Sequence, residues 1–177
     1  MKKTPLLSIV IIAAIMLMTQ GIQAQKFAKL DTSPLDVTAF PTSNREPNKS
    51  IKVVYSRPQL KGREVSSLAK NGEVWRTGAN EAANITLYKD MKISGKPVKA
   101  GEYSLFTIPG EKEWTIILNK DINVWGAYSY NKDSDVVRVT APVSSGEELE
   151  AFSIVFSDDG TMHLGWGTVR VAVPFSE

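Results

Sequence analysis

From residue 51 onward, the sequence is a succession of short apolar segments separated by turn-forming residues. The segments are rich in β-branched and aromatic residues, which is typical of strands. They cover residues 51–55, 84–88, 91–93, 102–108, 114–118, 135–139, 151–156, 162–166 and 168–173. The intervening residues 109–112 and 158–160 contain Pro-Gly and Asp-Gly pairs, so each predicts a hairpin.

This spacing constrains the fold class. About eight or nine short strands predict an all-β fold, a single antiparallel β-sandwich or flattened barrel, rather than βαβ units. The chain has room for one short helix around Val65 to Lys70. We expect the β domain to cover 51–177. Residues 25–50 are expected to form an N-terminal arm or tether, because 40–50 is polar, rich in turn formers and without periodicity.

The first 24 residues have the three-part pattern of a secretory signal peptide. Lys2 and Lys3 precede an apolar run over 6–18, and a more polar stretch ends at Ala24, after which we expect cleavage. An uncleaved anchor is the alternative, but the run of about 13 residues is shorter than the roughly 20 that a spanning helix needs. The sequence thus predicts a periplasmic or secreted protein without membrane insertion after cleavage.

Composition argues against several classes of function. Without Lys2 and Lys3, 19 of the 21 basic residues remain against 19 acidic ones, so the predicted mature chain is formally neutral. This argues against a nucleic-acid partner and against anionic membranes. The chain has no cysteine and one histidine, His163. Thiolate catalysis, serine–histidine catalysis and multi-histidine zinc sites are therefore disfavoured, and we expect no metal and no cofactor.

Three connections between the predicted strands carry more charged and aromatic side chains than turns require. The first covers 55–63, the second 74–81 and the third 124–130. Aromatic rings supply stacking area, and arginine binds carboxylate or phosphate through its planar fork. Because binding groups often lie on loops of a rigid scaffold, we expect a ligand site here. The candidate residues are Arg57, Trp75, Arg76, Asn80, Glu81, Trp125, Tyr128 and Arg138.

The same residues also fit a purely structural interpretation. Arg76 would then pair with Glu81, or Arg57 with Asp135, to hold the connections together. The tryptophans would lie at the border of the core. Both interpretations remain open on the sequence alone.

The leading functional hypothesis is a non-catalytic protein that binds a small polar ligand, a glycan or a partner protein. It is preferred because no nucleophile–base pair is recognisable. One alternative is a hydrolase with Glu81 as general acid or base, Asp135 as a second carboxylate, and Arg57 or Arg76 stabilising negative charge. Another is an envelope assembly component that pairs through an exposed strand edge.

Several strings of the sequence resemble one bacterial protein family. They are Tyr55-Ser56-Arg57-Pro58, Lys61-Gly62-Arg63, Trp75-Arg76-Thr77-Gly78-Ala79-Asn80-Glu81, and the segments 101–109, 113–119, 125–128 and 135–139. The chain resembles, from about residue 30 to its end, the exported family known as domain of unknown function 2911. The resemblance implies a signal-bearing envelope or secreted protein of Gram-negative bacteria with a single domain. It implies no catalytic residue, because the family has no established activity.

Overall fold

The computed structural model describes residues 25–177, so the predicted signal peptide lies outside the described residues. The chain divides into two units, Met1–Leu30 and Asp31–Glu177. Residues 25–30, the described part of the first unit, contain no helix or strand. No helix within 25–177 is long and apolar enough to cross a membrane.

The second unit is built almost entirely from strands. They are β1 Leu35–Phe40, β2 Ile51–Ser56, β3 Ala83–Leu87, β4 Met91–Ile93, β5 Lys96–Val98, β6 Gly101–Ile108, β7 Glu113–Asn119, β8 Asp135–Phe156 and β9 Thr161–Ser176. One short helix, α1, covers Val65–Leu68, and a single 3-10 turn covers Lys132–Ser134. The predicted all-β class and the predicted short helix are confirmed.

All of these strands belong to one antiparallel sheet with the order β1-β2-β3-β6-β7-β8-β9-β4-β5. The two predicted hairpins are confirmed, because 109–112 connects β6 to β7 and 157–160 connects β8 to β9. The sheet is open, with β1 and β5 as its edges. Pro97 and neighbouring lysines make β5 a poor template for further pairing, whereas β1 exposes Leu35 and Val37.

The structure differs from the sequence pattern in where several strands begin and end. β1 lies inside the segment expected to be an arm, and it pairs with β2 from Leu35 to Phe40. β5 lies in a segment for which the sequence pattern predicts no strand. The apolar segments 135–139 and 151–156 are parts of one strand, β8, because the polar residues between them still pair with β9 through irregular registers.

Strand β8 changes partner along its length, and this change brings two parts of the sheet onto a common core. Its beginning, up to Pro142, pairs with β7, and its remainder pairs with β9. Register shifts occur between Ser145 and Leu149 and between Leu149 and Ser153, and such bulges bend and twist a strand. Buried residues from β2, β3, β6 and β7 therefore share one hydrophobic cluster with those from β8, β9 and β4.

Four aromatic rings form the centre of this core, and we call them the aromatic cluster: Trp75, Trp114, Phe152 and Trp166. The rings of Trp75 and Trp166 stack with centroids 5.5 Å apart and planes at 13°. The rings of Phe152 and Trp114 both meet the Trp75 ring edge-on, with centroid distances of 5.0 and 6.0 Å respectively. Such pairs add to the stabilisation that comes from area burial alone.

A second, smaller apolar contact lies on the opposite face of β6 and β7. Phe106 and Ile117 are cross-strand partners, and both are fully buried. They belong to the face that the main core does not use, because successive strand residues point to opposite sides. The ring of Tyr130 packs on Phe106 at 5.1 Å, and Ser104 Oγ donates to the carbonyl of Asp121 at 2.7 Å. The segment 120–134 is thereby held over this face.

Candidate functional site

The second connection is tightly seated on the sheet. Trp75 and Thr107 exchange two backbone hydrogen bonds, of 2.7 and 2.9 Å, and the hydroxyl of buried Thr77 donates to Thr107 Oγ1 at 3.2 Å. Gly78 lies against the end of β2, where an added Cβ would come within 3.0 Å of the Ser56 carbonyl oxygen. This connection is therefore a fixed part of the scaffold.

Left-handed backbone at non-glycine residues occurs in the second connection and just before the third, and also at Lys61 and Ser94. Thr77 has φ 53° and Asn80 has φ 62°, and Asn123, just before the third connection, has φ 58°. The left-handed region is uncommon for non-glycine residues and unfavourable for a β-branched one. Each such residue costs about 1–3 kcal/mol and persists only where its surroundings enforce it, which happens most often at functional sites.

The second and third connections lie side by side. The amide of Ala82 donates to the Val124 carbonyl at 3.0 Å, and the amide of Gly126 donates to the Asn80 carbonyl at 2.9 Å. Between these bonds, Glu81 and Trp125 form an isolated antiparallel bridge. The candidate residues Asn80, Glu81 and Trp125 are thus adjacent, as a shared site requires.

A cleft of about 280 Å³ opens where α1 and these two connections approach each other, and we call it the Arg76 cleft. It is lined by Leu68, Lys70, Glu73, Val74, Trp75, Arg76, Ala127 and Tyr128. The side chain of Tyr128 is 86% exposed, and Trp125, next to the cleft in sequence, is 60% exposed. Of these two exposed rings, that of Tyr128 lines the cleft together with Arg76.

Arg76 differs from the other candidate arginines because no hydrogen bond accounts for its buried Nε. Across residues 25–177, this atom is the only buried side-chain nitrogen or oxygen without a hydrogen-bond partner. Arg76 and Glu81 do not form an ion pair with each other, because all the ion pairs found within residues 25–177 involve other residues. The structural interpretation, in which an Arg76–Glu81 ion pair holds the connection together, is therefore wrong for this pair.

Arg57, by contrast, holds strands together. Its Nε donates to the Phe152 carbonyl at 3.0 Å, its Nη1 contacts Asp36 Oδ2 at 3.2 Å, and its Nη2 donates to Ser153 Oγ at 2.6 Å. The guanidinium thus joins β1 to the end of β8. The partner considered from the sequence was Asp135, but the carboxylate that Arg57 contacts is Asp36.

Asp135 and Arg138 form a separate polar cluster with Tyr130. The Asp135 side chain is only 9% exposed, and it accepts hydrogen bonds from Arg138 Nε at 2.5 Å, Tyr130 Oη at 2.7 Å and Asn119 Nδ2 at 2.8 Å. Arg138 Nη2 also donates to the Tyr130 hydroxyl. Burial, reinforced by hydrogen bonding to Asp135, raises the pKa of Tyr130 to about 12. Both Asp135 oxygens are therefore engaged in holding the end of the segment 120–134.

Trp75 lies in the core, as the structural interpretation of the tryptophans predicts for it, while Trp125 does not. Trp75 is 6% exposed and Trp125 is 60% exposed. Trp75 is one of the residues that line the Arg76 cleft, but its ring belongs to the aromatic cluster. The sequence grouped these two residues, and the structure separates them.

A larger cleft, of about 420 Å³, was not found by sequence reasoning. Its lining is Leu60, Gly62, Arg63, Glu64, Val65, Ser66, Ala69, Asn71, Pro109, Gly110, Glu111, Trp114, Val143, Glu148, Glu150, Gly167, Thr168 and Val169. These residues come from distant segments and form no sequence motif. Although the rim holds several glutamates, no group of three or more possible metal ligands occurs in the described chain.

His163 lies at the hairpin between β8 and β9. Met162 and Leu164 are buried on either side of it, so its side chain points to the other face, as the alternation predicts. Its Nε2 is 3.0 Å from Ser157 Oγ, which lies 2.6 Å from Asp159 Oδ1 and 3.2 Å from the Thr161 carbonyl oxygen. These contacts close the turn between the two strands.

Comparison with known proteins identifies the family and nothing finer. No curated protein and no solved structure matches the chain. One family model, described as "Protein of unknown function (DUF2911)", matches residues 38–175. The match covers the second half of β1, all of β2 to β8 and β9 up to Phe175, and so contains all three connections. The chain therefore belongs to the DUF2911 family of proteins of unknown function.

Proposed function

We propose that this chain is a binding protein whose ligand site consists of the Arg76 cleft and the exposed rings of Trp125 and Tyr128. The observation that carries the proposal is an arginine with an unpartnered Nε in the same cleft as the exposed ring of Tyr128. The exposed ring of Trp125 belongs to the same connection as Tyr128. Tryptophan, tyrosine and arginine are the residues that most often dominate binding energy. A ligand of this site is a small polar molecule, a glycan or a segment of a partner protein.

The rigidity of the two connections supports binding by a preformed surface. The bridge between Glu81 and Trp125 and the hydrogen bonds around it fix the backbone on which the aromatic rings are mounted. A site that is ordered before binding loses less conformational entropy when the ligand arrives. The left-handed conformations of Thr77 and Asn80 are consistent with selection for the shape of this surface.

Binding accounts for the site better than hydrolysis does. A two-carboxylate mechanism needs a second acid that is free to exchange a proton. Asp135, the second carboxylate considered, accepts three hydrogen bonds from its neighbours. Glu81 is exposed and lies beside Trp125 rather than beside another candidate acid. No observation therefore favours the hydrolase.

The binding proposal predicts a loss of affinity when both exposed rings are removed. Protein purified after expression of the full chain is screened on a glycan array, and ligands found there are titrated by calorimetry. The double variant Trp125→Ala/Tyr128→Ala is expected to bind at least tenfold more weakly, because each hot-spot ring contributes about 1–2 kcal/mol or more. Its melting temperature should stay close to that of the wild type, since both side chains are exposed.

The matched control for this experiment is Tyr88→Ala. Tyr88 is 56% exposed and follows β3 at the end opposite to the second connection, so its removal should leave affinity unchanged. Equal binding by the double variant and the wild type would refute the proposed site.

We propose in addition that the chain is exported to the periplasm or secreted. The support is the charge of Lys2 and Lys3, the apolar run 6–18 and the small residue Ala24. When the full chain with a C-terminal tag is expressed in a Gram-negative bacterium, the product in the periplasmic or extracellular fraction should begin at Gln25 by mass spectrometry. Ile11→Lys interrupts the apolar run, so this variant should remain uncleaved inside the cell. Recovery of the wild type at full length in the cytoplasm would contradict export.

A further inference from the structure

We propose that the ligand of the Arg76 cleft is an acidic sugar, bound by its carboxylate to the guanidinium of Arg76 and by its ring to Tyr128. The inference rests on the proposed function and goes further, because it names the chemical class of the ligand. It starts from the one buried polar side-chain atom in residues 25–177 that has no partner, Arg76 Nε. A buried donor without an acceptor costs about 1–3 kcal/mol, and in a native fold it calls for an explanation such as a bound water or ion. Because this nitrogen is itself buried, the proposal places the carboxylate on the part of the Arg76 side chain that lines the cleft.

The charge of the cleft favours an anion. Lys70 and Glu73 at its rim form an ion pair of 3.6 Å with each other. Arg76 is the third charged residue of the lining, and no ion pair within the described chain neutralises it. The cleft as a whole therefore carries one uncompensated positive charge, which an anionic group would neutralise through charge-assisted hydrogen bonds.

The number of free cations favours a carboxylate over a phosphate. A phosphate group carries up to two negative charges and is typically held by a cluster of arginines or by a long helix N-terminus. Here the lysine at the rim is already paired with Glu73, and α1 has only four residues. A single guanidinium presents a planar fork that matches one carboxylate.

The size and surroundings of the cleft favour a single ring. Its volume of about 280 Å³ lies just below the roughly 300–1,000 Å³ of small-molecule sites. Val74 and Ala127 contribute small apolar surface, and the exposed ring of Tyr128 offers a flat face. A carboxylate-bearing sugar ring satisfies both demands, because its acid group binds the arginine while its C–H face packs on the tyrosine.

The test compares an acidic oligosaccharide with its neutral ester. Oligogalacturonate and the same oligomer as methyl ester are titrated by calorimetry against protein purified after expression of the full chain, and free galacturonic acid is titrated alongside. The acid is expected to bind at least tenfold more tightly than the ester, with an affinity that falls as salt is raised. If the acidic oligomer binds and free galacturonic acid does not, the ligand is part of a polymer. If the oligomer and the free acid both bind, a single acidic sugar is sufficient.

Arginine variants separate the carboxylate contact from general effects of charge. Arg76→Gln is expected to lose at least tenfold in affinity for the acid and nothing for the ester, and Arg76→Lys should recover only part of the loss, because it lacks the fork. Arg45→Gln makes the same charge change at an exposed position elsewhere, and it should bind like the wild type. Melting temperatures of all three variants check that the fold is intact.

The outcomes distinguish this inference from the proposed function. If acid and ester bind equally well and both depend on Trp125 and Tyr128, the site binds ligands but the carboxylate assignment is overturned. If neither oligomer binds, the acidic-sugar assignment fails, and the array screen decides on the proposed function separately. Equal loss of affinity in Arg76→Gln and Arg45→Gln would show that only net charge matters, which would also overturn the assignment.

Discussion

The variant Trp75→Ala is expected to lose about 3–5 kcal/mol of unfolding free energy, the usual cost of removing a large buried aromatic side chain. Trp75 contacts every other ring of the aromatic cluster, with centroid distances between 5.0 and 6.0 Å. These rings come from β7, β8 and β9, so the cavity would open where the two parts of the bent sheet meet. Since a whole domain is stable by about 5–15 kcal/mol, this loss is a large fraction of the total. Denaturation with urea measures it.

The matched control for Trp75→Ala is the same substitution at Trp125. Trp125 is 60% exposed, so Trp125→Ala should change the unfolding free energy by no more than about 0.5 kcal/mol. The contrast tests the division between a tryptophan of the core and a tryptophan of the proposed binding surface. A loss in Trp75→Ala as small as that in Trp125→Ala would contradict the described packing.

The second large effect is expected for Tyr55→Phe, which removes one hydroxyl from the interior. Tyr55 is on β2, and its hydroxyl accepts from the Ile154 amide at 2.8 Å. The same hydroxyl lies 3.2 Å from the Ile154 carbonyl and 3.2 Å from Asp36 Oδ2. It thus substitutes for a strand partner along this stretch of β8. Phenylalanine leaves the buried amide unsatisfied, which costs about 1–3 kcal/mol.

The same variant should change how stability responds to alkaline pH. Burial raises the pKa of Tyr55 to about 12, from an ordinary value of 10.0. Because the fold favours the protonated phenol, this contribution is fully present below pH 10 and is lost as pH rises through about 12. Urea denaturation at pH 9 and pH 11 measures how far the unfolding free energy falls between these two pH values. This decrease should be smaller for Tyr55→Phe than for the wild type. Tyr130 also has a pKa raised to about 12, so part of the dependence should remain.

Exposed Tyr88 provides the control for both experiments on Tyr55. Tyr88→Phe should leave the unfolding free energy and its pH dependence unchanged, because this ring is 56% exposed. An unfolding free energy of Tyr55→Phe within about 0.5 kcal/mol of that of the wild type would mean that the hydroxyl does not support β8.

Local patterns in the sequence were sufficient for the fold class but not for every strand. The hairpin of β6 and β7 and the hairpin of β8 and β9 combine alternating apolar residues with strong turn formers, and both were predicted. β1 was not predicted, because at its edge position Leu35 and Val37 are exposed and its alternation carries little information about burial. β8 was predicted as two strands, because its polar middle is held by pairing with β9 rather than by its own pattern.

The candidate site was predicted as three segments, but their roles could not be. Arg57, Arg76 and Arg138 look alike in the sequence. In the fold, Arg57 is bonded to β1 and β8, and Arg138 is bonded to Asp135. Arg76 Nε has no such partner. The partners of the first two are set by which strands become neighbours, and no local pattern contains that information.

The sequence by itself determined the all-β class, the two tight hairpins, the family and the segments that carry unusual side chains, because each of these depends on residues that are close along the chain. The tertiary structure alone decided that Trp75 lies in the core and Trp125 at the surface. It also decided which arginines bond to neighbouring strands and that the second and third connections lie side by side. These features depend on contacts such as the bridge between Glu81 and Trp125 and the stacking of Trp75 on Trp166. The stacking of Trp75 on Trp166 depends on the bending of the sheet at β8, and the bridge depends on β3, β6 and β7 being neighbours. Both are properties of the whole fold.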